Sequence, residues 1–129
     1  MTFRRTLFTL GLVTLTAGAL PALAEEPAMY AMTSAGEVLT NKDGMTLYTF
    51  DKDSDGVSAC YDDCAAKWPP YTAAADAVAE GDYGMIERTD GTRQWTYDGK
   101  PLYTYAEDTK AGDVMGDGKN GVWHVVKAE

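Results

Sequence analysis

Asp43-Gly-Met-Thr-Leu-Tyr-Thr-Phe-Asp-Lys-Asp53 and Asp98-Gly-Lys-Pro-Leu-Tyr-Thr-Tyr-Ala-Glu-Asp108 lie 55 positions apart and agree at six of eleven residues. The identities fall at Asp43/Asp98, Gly44/Gly99, Leu47/Leu102, Tyr48/Tyr103, Thr49/Thr104 and Asp53/Asp108, with Phe50 answered by Tyr105. The same offset, without a gap, sets Trp68 on Trp123. Each copy therefore reads as an aromatic strand, an acid and, 15 positions beyond that acid, a tryptophan. A unit this small cannot bury its own face, so the two copies should pack against each other.

Outward from the repeat the short-range signals are β. Asp-Gly at 43/44, 90/91 and 98/99 separates stretches rich in Thr, Tyr, Trp, Val and Ile, and such dipeptides favour hairpin turns because type I′ turns need positive φ. Gly84–Thr89, Thr92–Tyr97 and Lys100–Tyr105 are expected as a three-stranded meander, Glu37–Thr40 with Met45–Phe50 as another hairpin, and Gly121–Val126 as a closing strand. Pro101 lacks a donor and should sit at an edge or a strand start. Ser58–Trp68 is the expected helix, capped by Ser58, with Asp62 and Asp63 near its positive end and Pro69-Pro70 stopping it. Ala73–Glu80 reads as either a second helix or a surface loop. The fold class is thus mainly β, antiparallel hairpins and a meander from two repeats, with one short helix carrying C-x-x-x-C.

The chain has 129 residues, 20 acidic against 11 basic side chains, and a formal charge of −9, with 45% hydrophobic and 11% aromatic residues. The aromatic content argues against disorder, and the acidity without a basic stripe argues against nucleic acid as a partner. Arg4 and Arg5, the apolar run Leu7–Ala19, Pro21 and the small-residue site Ala22-Leu23-Ala24 read as a secretory signal peptide over 1–24. The apolar run is too short for a transmembrane anchor. The general and twin-arginine export routes both remain open. Cleavage before Glu25 leaves 105 residues and, without Arg4 and Arg5, a charge of −11. A flexible tail over 25–36 and a single domain over 37–127 are expected, its repeats being about 37–70 and 84–127, linked by 71–83. Cys60 and Cys64 are the only cysteines. In an oxidising compartment a lone pair reads first as a disulfide, with metal binding and redox chemistry as alternatives.

The pattern Tyr48-x-Phe50-x-x-Asp53 and Tyr103-x-Tyr105-x-x-Asp108, with Ser58-Ala-Cys60-x-x-x-Cys64-Ala-Ala-x-Trp68-Pro69-Pro70 and Gly121-Val-Trp123-His124-Val-Val, resembles the bacterial secreted-repeat family of predicted lipoproteins with a conserved Yx(FWY)xxD motif. The resemblance runs from about Glu37 to Lys127. It implies a small exported protein and leaves the chemistry open, because the family's function is largely unknown. Since no Cys follows Ala24 to carry a lipid, a soluble periplasmic or secreted protein is expected.

Alternate residues of a strand share a face, so Tyr48 with Phe50, and Tyr103 with Tyr105, could form an aromatic platform for a flat or sugar-like ligand, its polar edge fixed by Asp53 and Asp108. The competing reading makes these rings and Trp68 and Trp123 the core, with each Asp capping the turn after its strand. Repetition favours the core, since contacts that build the fold recur once per unit. Asp51, Asp53, Asp55, Gly56 and Asp62 copy the spacing of a calcium loop, though Asp replaces its final bidentate Glu. Met29, Met32, Met115 and His124, with the cysteines, form a candidate copper set, because thioether and thiolate suit Cu(I). No nucleophile elbow, phosphate loop or second His is present. The expected role is a non-catalytic binding or envelope-associated module of the periplasm, taking a small ligand or envelope component and no resident cofactor. The alternative is a copper- or calcium-binding or redox accessory protein.

Overall fold

Val38, Leu39 and Thr40 end a strand whose β-branched and aliphatic side chains are wholly buried, and that strand is the inner half of a hairpin. In the computed structural model, which describes residues 26–128, β1 (Met29–Thr33) pairs antiparallel with β2 (Gly36–Thr40). Gly36 at φ +96° supplies the left-handed turn residue. The expected flexible tail is therefore replaced, from Met29 onward, by strand. Met29 and Met32 are 50% and 74% exposed, so the acidic, Pro-containing sequence gives little burial signal there, while backbone pairing to β2 holds the segment. The expected signal peptide lies outside the described residues.

β3 (Tyr48–Phe50) follows a turn stabilised by Asn41, whose Oδ1 accepts from the backbone N–H of Asp43 and Met45. The expected pairing of 37–40 with 45–50 survives only around Thr40–Thr46 and in the Leu47 N–H to Leu39 O bond of 2.9 Å. Further on, β3 pairs with β8 (Trp123–Val125), Tyr48 opposite Val125 and Phe50 opposite Trp123. α1 (Asp63–Lys67) is much shorter than expected. Ser58 does not cap it: Asp62, at φ +54°, breaks the helical path before α1, and the Ser58 hydroxyl contacts Tyr103 Oη instead. Cys60 thus precedes the helix and Cys64 lies in it, joined as a disulfide with Cα atoms 5.2 Å apart.

β4 (Thr72–Ala73), β5 (Tyr83–Glu87), β6 (Arg93–Tyr97) and β7 (Lys100–Pro101) form a four-stranded sheet, with β6 pairing with β4, β5 and β7. The meander is as expected in order, although its third strand is reduced to Lys100–Pro101. Asp98 and Gly99, at φ +50° and +80°, make the turn that Asp-Gly foretold. Ala73–Glu80 contains the end of β4 and then a loop, not a helix.

The repeats are related by an approximate twofold axis through the bridge between Tyr48 and Tyr103, whose backbones exchange N–H···O bonds of 2.8 and 3.0 Å. Bonds away from the axis recur in matching pairs. Asp51 N–H to Val122 O (2.8 Å) is matched by Ala106 N–H to Lys67 O (2.9 Å), and Leu39 N–H to Val126 O (2.8 Å) by Trp95 N–H to Tyr71 O (2.9 Å). Leu39 thus corresponds to Trp95, an offset of 56, because the turn closed by Arg88 and Thr92 holds three residues where the turn closed by Thr33 and Gly36 holds two. Neighbouring strand residues face opposite ways. Tyr48 and Tyr103 accordingly enter one buried cluster with Trp68, Tyr105 and Trp123, while Leu47 and Leu102 enter another with Leu39, Trp95 and Ala28.

Candidate functional site

The repeated motif closes on itself across the twofold. Tyr48 Oη donates to Asp108 Oδ2 at 2.6 Å, and Tyr103 Oη donates to Asp53 Oδ2 at 2.7 Å. Each tyrosine is therefore held by the acid of the other repeat. The second oxygen of each carboxylate orders the loop after it, Asp53 Oδ1 accepting from Ala59 N–H at 2.7 Å and Asp108 Oδ1 from Met115 N–H at 2.9 Å. The expected acidic cap is thus found, but it reaches six or seven residues ahead. Burial pushes the carboxyl groups of Asp53 and Asp108 above the usual carboxylate range, an effect opposed by the hydrogen bonds they accept. Burial likewise raises both phenols, so they remain protonated donors.

The tryptophans are exchanged in the same sense. Phe50 stacks on Trp123 (centroids 4.1 Å apart), Trp123 on Trp68 (3.8 Å) and Trp68 on Tyr105 (4.1 Å), a continuous file of four rings. Tyr48 meets Trp68 edge-on at 5.3 Å, and Tyr103 meets Trp123 edge-on at 5.2 Å. Tyr48 and Tyr103 have no exposed surface, and Trp68, Trp123 and Tyr105 are at most 6% exposed. The platform faces inward and serves as core.

Two residues absent from the sequence-derived candidates complete this region. Arg88 is 4% exposed, donates to Ser58 Oγ, Gln94 Oε1 and Cys60 O, and lies 4.2 Å from the Tyr61 ring centroid. Gln94, fully buried, passes the network to Leu102 O through Nε2. No periodic pattern marks Arg88, which precedes an Asp-Gly turn where a solvated cation would be the ordinary reading.

The metal candidates are dispersed. Asp51 meets His124 Nε2 at 2.8 Å, Asp53 is held by Tyr103 and Ala59, and Asp62 sits at the start of α1. Ser54 bridges Val57 across a tight turn containing Asp55 and Gly56. Among the described residues no group of three or more His, Cys, Asp and Glu side chains is placed to hold a metal ion. In the copper set, Met29 and Met32 lie on β1, Met115 is 67% exposed in the loop after Asp108, and His124 is on β8. The cysteine sulfurs are bonded to each other.

Surface clefts open along the seam between repeats. One, of about 380 Å³, lies between Lys67, Trp68, Tyr105, Glu107 and Lys119. Another, of about 310 Å³, includes Thr49, Asp51, His124, Lys100 and Lys127. A third, of about 340 Å³, is lined by Tyr30, Tyr83 and Tyr97 with Glu26, Glu80, Gly81 and Asp82. Tyr97 ends the second strand of the expected meander, whereas Tyr83 falls in the expected linker over 71–83 and Tyr30 in the stretch read as a tail.

A family model described as a secreted repeat of unknown function matches the chain twice, over residues 29–72 and 84–127. The first match opens with β1 and ends as β4 begins, and the second opens within β5 and ends after β8, so its boundaries follow the structural repeat. Neither a curated protein nor a solved structure matches the chain. Among the described residues no helix is long and apolar enough to cross a membrane.

Proposed function

The chain belongs to this family of secreted repeats, and from that membership we propose that it is a non-catalytic periplasmic module that binds a small ligand or envelope component through its seam clefts. Export itself accords with the family. The observation that carries the reading is the inward closure of the motif: the phenols, carboxylates and indoles of the repeat bond to or stack on one another, which leaves recognition to the clefts at the seam. Cleft volumes near 300 Å³ suit small molecules. His124, the only histidine in the sequence, meets a carboxylate rather than a nucleophile, which supports a non-catalytic role.

Native mass spectrometry of the exported protein, before and after reduction and in the presence of pooled periplasmic metabolites, tests this. The reading predicts a rise of about 2 Da on reduction of the disulfide, saturable small-molecule adducts and no conversion of any component. A stoichiometric copper excess lost in Cys60→Ser or His124→Ala, or a calcium excess lost in Asp51→Asn/Asp55→Asn, would overturn it in favour of a metal-binding accessory protein, and turnover of a metabolite would overturn its non-catalytic part.

A further inference from the structure

The cleft bounded by Tyr30, Tyr83 and Tyr97 joins both repeats, since Tyr30 comes from β1 and the other two are cross-strand partners on β5 and β6. The Tyr83 and Tyr97 rings are 5.2 Å apart with planes inclined by 58°, forming a corner of two aromatic walls. Tyr30, 37% exposed, extends the wall through a 3.2 Å bond from its hydroxyl to that of Tyr97. The opposite rim is the Glu80–Tyr83 turn, closed by reciprocal backbone bonds of 3.0 Å and fastened by Asp98 N–H to Asp82 O at 2.8 Å. Glu26, Glu80 and Asp82 thus stand around an aromatic corner, and among the described residues no Lys or Arg lines the cleft.

The geometry points to a binding site in this cleft for small alkylammonium cations, a proposal that rests on the binding-module reading above and names the ligand class. Aromatic faces attract a large, weakly hydrated cation through their quadrupoles, and nearby carboxylates add Coulomb attraction. A hard divalent ion needs a close shell of oxygens, which tyrosine rings do not supply. The cleft volume of about 340 Å³ admits a molecule the size of choline. Tyr83 senses the same field: its phenol is pushed up to about 12, first by burial and then by Tyr97, Glu26 and Asp82. The chain's charge of −9 draws cations toward the molecule as a whole.

Amide NMR of the exported protein, titrated at constant ionic strength with choline, tetramethylammonium and the neutral choline isostere 3,3-dimethylbutan-1-ol, tests the site. Both cations should give saturable shifts centred on Tyr30, Gly81–Tyr83 and Tyr97, with the isostere about tenfold weaker or more. Glu80→Gln/Asp82→Asn should weaken choline by about fivefold to tenfold, and Tyr30→Leu, at an exposed edge-strand position, should weaken it severalfold if the double variant proves unstable. Equal binding of the isostere, shifts centred elsewhere, or no saturation would overturn the proposal. If the cations fail while pooled periplasmic metabolites still give saturable adducts, this inference alone falls. If those adducts are absent too, the binding-module reading falls with it.

Discussion

Tyr48 has no exposed surface, yet its hydroxyl donates to Asp108 and accepts from the Gly116 N–H at 3.2 Å. Removing that oxygen strands a buried donor and part of a buried carboxylate, at a cost of about 1 to 3 kcal/mol. Tyr48→Phe and Tyr103→Phe should each lower the urea midpoint accordingly, without changing its slope. A titration follows from the burial of the acids that these phenols meet. Burial raises the folded-state carboxyls of Asp53 and Asp108 above their unfolded value, so their contribution is complete below about pH 3.9 and is lost as pH climbs through the raised values. The stability lead of wild type over Asp53→Asn/Asp108→Asn, whose amides do not titrate, should therefore be larger at pH 4 than at pH 7 in urea melts. A lead that grows toward neutrality would contradict the assignment. Gly116 is a third residue with a defined burden: a Cβ there would come within 2.5 Å of Trp68 Cη2. Gly116→Ala should cost about 1 to 3 kcal/mol by overpacking the indole file, measured by chemical denaturation.

At the level of elements, the disulfide closes a five-residue loop that runs from before α1 into its first turn. Its chain-entropy contribution is small, about 2 kcal/mol. Cys60→Ser/Cys64→Ser should lower stability by no more than about that amount and leave the near-ultraviolet aromatic dichroism intact, because the four-ring file does not depend on the sulfurs. Local readings were accurate where local chemistry decides. Asp98-Gly99 turned as expected because positive φ is required at both positions. They fell short where a distant partner decides: α1 is truncated because Arg88 and Tyr103, far along the chain, engage the Ser58–Cys60 segment that would have been its first turn. β1 is not legible in the sequence because its side chains bury little. Its order comes from backbone pairing that hydrophobic alternation does not report.

For the molecule as a whole, the offset of 55 foretold two units that pack together, and Tyr48 and Tyr103 are indeed joined and buried. What the offset could not disclose is the exchange of parts. A Tyr–Asp pair within one copy and a pair across copies leave the same sequence pattern, since only long-range register distinguishes them. The exchange makes each repeat incomplete alone: the strand and tryptophan that finish one hydrophobic face come from the other. The most direct measurement is a double-mutant cycle on unfolding free energy that compares Tyr48→Phe/Asp108→Asn with Tyr48→Phe/Asp53→Asn. Reciprocal locking predicts a coupling of about 1 kcal/mol or more for the first pair and additivity within about 0.5 kcal/mol for the second. Coupling confined to Tyr48 and Asp53, the residues of a single copy, would contradict it.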